Sequence, residues 1–131
     1  MFAKSVRDLD VYQSAFEAQQ EIFELTKTFP KEEMYSLTDQ IRRSSRSVGA
    51  NLSEAWAKRR YQAHFISKLS DADGETEETS HWLVSAFACK YLTLETKEKL
   101  MGKYLHISNM LNKMITDSDK WCASFSANQK S

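Results

Sequence analysis

The chain has 131 residues, with 18 Lys and Arg balanced by 18 Asp and Glu. That length buries a core without disulfides or a structural metal, and the even charge balance argues against a uniformly basic nucleic-acid surface. One proline and three glycines leave few places to turn, so a single all-α domain of long helices is expected.

The first helix is expected over residues 8–28. Leu9, Tyr12, Phe16 and Phe23 form one apolar strip, and Val11, Ala15, Ala18, Ile22 and Leu25 form a second beside it. The combined face is wider than the roughly 100° stripe that one packing partner requires. The helix either sits between two neighbours of its own bundle or lends part of this face to a subunit interface. Phe29-Pro30 ends it, because the residue before proline is displaced from helical geometry.

A second helix is expected over 36–58, with Ser36 and Asp39 as a capping box. Leu37, Ile41, Val48, Leu52 and Ala55 share the core face. Gln40, Arg43, Ser47, Asn51 and Glu54 line one flank, and Arg42, Arg46, Ser53 and Arg60 occupy the back. The ordered flank reads as a hydrogen-bonded polar seam against another helix, which would fix a single register if every group in it is paired.

A break near Lys58–Tyr61 leads into a third helix over 61–91, burying Phe65, Leu69, Ala72, Thr76, Leu83 and Phe87. Gly74 in its acidic middle costs about 1 kcal/mol against alanine, which points to a kink or to close approach of another helix. Thr93 is a suitable N-cap for a fourth helix over 94–120, burying Leu100, Tyr104, Ile107, Leu111, Met114, Ile115 and Cys122. Residues 1–122 thus make one antiparallel up-down four-helix bundle, and the aperiodic tail 123–131 is expected to fray.

Net charge alternates along the chain: −2 over residues 1–30, +3 over 31–60, −3 over 61–92 and +2 over 93–131. Asp71, Glu75 and Glu78 share one flank of the third helix, opposite in sign to Arg42, Arg46 and Arg60 on the second. These are two independent solvated faces, or they meet within or between subunits, or the arginines bind phosphates.

Little in the sequence points to catalysis. Glu78-x-x-His81 matches half of a di-metal carboxylate signature, but both side chains face away from the core and no second copy occurs. The acidic run Asp71–Glu75 has its glycine at the wrong place for a calcium loop. His64, His81 and His106 are dispersed, and no phosphate loop, dinucleotide fingerprint or nucleophile elbow is present. The expectation is a protein that is not an enzyme and takes no metal or cofactor. No apolar run approaches the roughly 20 residues of a membrane span. No apolar block follows Met1–Asp8, and Cys89 and Cys122 fit reduced thiols, so a cytoplasmic protein is expected.

Phe29-Pro30-x-x-Glu33, Leu37-x-x-Gln40-Ile41-Arg42-Arg43 and Ser47-Val48-x-x-Asn51-Leu52-x-Glu54, with Leu9-x-Val11-Tyr12 before them, resemble the four-helix-bundle family of 23S rRNA intervening-sequence proteins. The resemblance spans about residues 7–118. Ala55 departs from it, standing where the family has glycine. The resemblance implies a bundle that assembles as a ring-shaped homopentamer. It also implies a distant relation to the accessory variability determinant of diversity-generating retroelements, which partners a reverse transcriptase and binds nucleic acid through a basic surface. On that basis Arg42, Arg43, Arg46, Lys58, Arg59 and Arg60 are candidate contacts to RNA or DNA phosphates in a scaffold or adaptor. The alternative is a structural oligomer without nucleic acid, held by arginines against Asp71, Glu75 and Glu78.

Overall fold

The computed structural model describes residues 3–130, apart from the side chains of residue 124 and residues 126–130. After a 3-10 turn over Val6–Asp8, helices α1 (Asp10–Thr26), α2 (Leu37–Ala57), α3 (Gln62–Ala88) and α4 (Leu94–Thr116) form the bundle, and α5 (Ser118–Lys130) follows. Packing runs in a circuit, α1 on α2, α2 on α3, α3 on α4 and α4 back on α1. Ion pairs between Arg43 and Glu75 and between Glu54 and Lys68 show that α2 and α3 run antiparallel, since partners rise along one helix as they fall along the other.

The core is built from the expected stripes. Ile41, Val48, Leu52 and Ala55 of α2 are fully buried with Phe65, Leu69 and Leu83 of α3 and Ile107 and Leu111 of α4. Each large apolar side chain in this set contributes about 1.5–3 kcal/mol by leaving water. On α1 the two strips separate: Val11, Ala15, Ala18 and Ile22 enter the core, whereas Tyr12 and Phe23 are half-buried and Phe16 is exposed. Phe87, Ile115 and Cys122, all expected inside, are half-buried, and Thr79 and Ala86 take core places on α3 instead.

Several ends differ from expectation for identifiable reasons. The Ser36 side chain makes no cap; its hydroxyl donates to Glu33 Oε1 at 2.7 Å, so the expected capping box with Asp39 does not form. Glu33 also accepts from the Tyr91 hydroxyl at 2.8 Å, tying the first connector to the third. These bonds, that from Ser36 foremost, hold the Glu33 carboxyl below its usual range, and the neighbouring carboxylate pushes the Tyr91 phenol up to about 12. The helix expected over 94–120 is divided at Asp117, where α4 ends and α5 begins. Residues 123–130, expected to fray, continue α5, and Ser131 lies outside the described residues. Thr93 caps α4 as expected, accepting from the Thr96 N–H at 3.1 Å. Gly74 neither interrupts α3, which runs unbroken, nor marks a close approach within the chain, since a Cβ there would meet nothing within 4 Å.

Helix α3 stops at Ala88 rather than near residue 91. Lys90 takes a left-handed backbone (φ 65°), the Tyr91 N–H bonds to the Ala86 carbonyl and the Lys90 N–H to that of Phe87, which is the Schellman arrangement that satisfies the last carbonyls. A side chain at a left-handed position costs roughly 1–2 kcal/mol, which glycine avoids at some cost in unfolded-state entropy. Lys90→Gly is therefore expected to stabilise the chain by about 1 kcal/mol in denaturant unfolding, with an unchanged m-value.

Candidate interfaces on the second helix

The polar flank of α2 turns toward α3 of the same chain. Arg43 Nη1 lies 3.4 Å from Glu75 Oε2, and its Nη2 pairs with Glu78. Further along, Lys68 Nζ sits 2.8 Å from Glu54 Oε2 and 3.9 Å from Asp71 Oδ2. The hydrogen bond from Lys68 lowers the pKa of Glu54 and raises that of Lys68 in return. Burial pushes the Glu75 carboxyl up; Arg43 opposes that shift and Glu78 adds to it.

The flank is not the continuous polar seam expected. Asn51 Nδ2 donates to the carbonyl of Ser47 in its own helix at 2.9 Å. Gln40 and Ser47 are half-buried, and Glu54 is exposed. Water reaches this edge along its length, so salt links, rather than a sealed hydrogen-bond network, mark the register.

The six candidate phosphate contacts divide. Arg43 is taken by the two α3 carboxylates. Arg59 lies with its guanidinium 3.5 Å from the Trp56 ring centroid, and its Nε donates to the Trp56 carbonyl at 2.9 Å. Trp121 meets Trp56 edge-on, Phe125 lies 5.0 Å from the Arg59 guanidinium, and burial lowers the Arg59 pKa. Lys58 and Arg60 are exposed beside this cluster, with Arg60 5.8 Å from the Phe125 ring centroid.

Arg42 and Arg46 are placed differently. Arg42 Nε donates to Thr26 Oγ1 at 2.7 Å, and the Arg42 and Arg46 guanidinium carbons lie 4.8 and 5.5 Å from the Phe23 ring centroid. Lys27 Nζ approaches the same ring to 4.8 Å while pairing with Glu24. Among the described residues no carboxylate pairs with Arg42 or Arg46, so of the three alternatives, a meeting of Arg42, Arg46 and Arg60 with Asp71, Glu75 and Glu78 does not occur within the chain. A groove of about 560 Å³ opens here, with Tyr35, Asp39, Arg42 and Arg46 among its walls. Tyr35 is 94% exposed at its edge.

Phe23, Lys27 and Tyr35 are absent from the site residues inferred from sequence. Phe23 and Lys27 stand four apart on the outer strip of α1, a readable signal. Their meeting with Arg42 depends on the α1–α2 register, which the sequence does not display.

A second open surface lies between α1 and α4. Tyr12 and Phe16 stack with ring centroids 6.3 Å apart in a groove of about 940 Å³ that Leu25 and Leu100 also line. Two of its lining carboxylates are held from α4 by Lys103, which reaches Glu17 at 3.4 Å and pairs with Glu21. Glu78 and His81 do not converge: Glu78 faces Arg43, and His81 is exposed against Trp82. No group of three potential metal ligands occurs among the described residues.

The family model for the 23S rRNA-intervening sequence protein matches residues 7–113. A solved structure from Bacteroides thetaiotaomicron, described as a protein of unknown function from the S23 ribosomal protein family, is 32% identical with a TM-score of 0.73. The likeness covers 81% of this chain and 95% of that one. No curated protein matches.

The Arg43 clasp gives a pH-dependent expectation. Removing the guanidinium leaves Glu75 and Glu78 facing each other, a repulsion that exists only while both are ionised. Arg43→Gln should destabilise by about 1 kcal/mol at neutral pH, given the partial exposure of the pair. The deficit should shrink as pH falls through the raised pKa of Glu75, because its protonation removes one of the two charges. Chemical unfolding at neutral and acidic pH, compared with the parent chain at each, measures both terms.

Proposed function

The chain belongs to the 23S rRNA-intervening sequence protein family, and we propose that it acts as a non-enzymatic oligomeric scaffold or adaptor in an RNA-containing complex. The observation that carries this reading is the pair Arg42 and Arg46, cationic, without a carboxylate partner among the described residues, and stacked beside Phe23 on the open face of α2. An arginine held by an aromatic ring and by Thr26 loses less freedom on binding than a solvated one, and its remaining N–H groups stay directed at a ligand. Lys58 and Arg60 extend the basic edge near the far end of the helix, whereas Arg43 is engaged by Glu75 and Glu78 and Arg59 by Trp56, which makes them weaker candidates.

The groove between α1 and α4 supports self-association as the second part of the proposal. Phe16 is 46% exposed although it stacks on Tyr12, and the apolar floor continues to Leu25 and Leu100. A second copy seated there would cover it, and a head-to-tail contact repeated with a rotation of one-fifth of a turn would close into a homopentameric ring. The same exposed aromatic pair favours the alternative reading, a protein-binding oligomer that contacts no nucleic acid. No helix of the described residues is long and apolar enough to cross a membrane. Cys89 and Cys122 are both free, and we place the protein in the cytoplasm, where thiols stay reduced.

Two measurements test these parts separately. Reversing Arg42 and Arg46 to Glu together should weaken RNA binding by at least tenfold at low salt and flatten its dependence on salt concentration; unchanged binding would contradict the adaptor reading. Phe16→Glu should shift the molar mass from light scattering toward that of one chain without altering helical content. An unchanged mass would remove the α1–α4 groove from the assembly.

A further inference from the structure

Resting on the adaptor reading, we infer that the groove beside α2 takes an unpaired stretch of RNA, with a base stacked on Tyr35 and the adjoining phosphates on Arg42 and Arg46. The residues in this groove differ from those of a surface that only tracks a duplex backbone. Tyr35 is 94% exposed in the connector before α2, and Met34 beside it is 46% exposed. A tyrosine ring displayed to that extent contributes nothing to the core. It has the planar apolar face on which a splayed-out base stacks, and bases inside a duplex are not available to it.

Arg42 and Arg46, one helical turn apart on the same wall, are near enough to serve neighbouring phosphates of one strand. The volume of about 560 Å³ is that of a small ligand site, with room for part of a strand.

Asp39 decides between RNA and DNA. Its carboxylate lies in the same groove and would repel a bare phosphate chain. A ligand that brings a hydrogen-bond donor among its phosphates satisfies it, and the ribose 2′-hydroxyl is such a donor, which deoxyribose lacks. Arg42 and Arg46, a stacking ring and one carboxylate, with Arg43 also on the wall but paired to Glu75 and Glu78, together describe a single-stranded ribonucleotide segment.

The test is fluorescence anisotropy at low salt with a short single-stranded oligoadenylate, its DNA counterpart and an RNA duplex of the same length. The single-stranded RNA should bind more tightly than either other probe. Tyr35→Ala should weaken that binding about tenfold, Tyr35→Phe should retain it because the ring is kept, and neither should change binding of the duplex. Equal affinity for the duplex, or no loss with Tyr35→Ala, would overturn the stacking assignment while leaving the adaptor reading in place. Equal affinity for the DNA strand would overturn the assignment to RNA. No binding of any probe would instead overturn the adaptor reading, and dissociation of the oligomer on Tyr35→Ala would give the groove to a protein partner.

Discussion

A hydroxyl pair buried between α2 and α3 sets the rest of the molecule. Thr79 Oγ1 lies 2.8 Å from Ser44 Oγ, and neither residue has any exposed surface. Small side chains at these positions let the two helices approach closely, and the hydroxyls satisfy each other where water does not reach. Each hydroxyl also reaches a carbonyl of its own helix, Thr79 that of Glu75 at 2.8 Å and Ser44 that of Ile41 at 3.3 Å, so a slipped register would not orphan them. It would instead press larger side chains into this close contact, where overpacking costs about 1–3 kcal/mol. One register of α2 on α3 is therefore strongly preferred. The exposed salt links from Arg43 to Glu75 and Glu78, and from Glu54 to Lys68, fall into place once that register is set.

That register determines which arginines are available. Rotating α2 so that Ser44 faces α3 brings Arg43 to the acidic edge and leaves Arg42 and Arg46 over Phe23 at the α1 side. The chain is neutral as a whole, yet at this face the arginines outnumber the one carboxylate, Asp39, that shares the groove. Electrostatic recognition depends on such a local field, which the net charge of zero conceals.

The bundle was legible because each helix repeats its apolar residues at helical spacing, and every α2 residue assigned to the core is buried. The wide apolar face of α1 was legible too, but not which strip turns inward. That is settled by the size of Ala15 and Ala18, which let α1 sit close to its neighbours where Tyr12 and Phe16 would not. Ser44 and Thr79 escaped because a hydroxyl residue on a helix looks the same from sequence whether it meets water or another hydroxyl. The basic residues were read as one run because they are close in sequence. Their division follows from contacts with residues at least 32 positions away for Arg43 and only three for Arg59, which folds back on Trp56. The groove at Tyr35 was missed because the tyrosine lies in a connector, outside any periodic pattern.

The account stands on a surface being open and cationic at one place, the outer face of α2 nearest Tyr35. Ultraviolet cross-linking of the intact protein to single-stranded RNA, with the attached peptides mapped by mass spectrometry, addresses that placement directly. The account predicts attachment within residues 34–46, centred on Tyr35. Attachment confined to α3 or α4, with residues 34–46 unmodified, would contradict it.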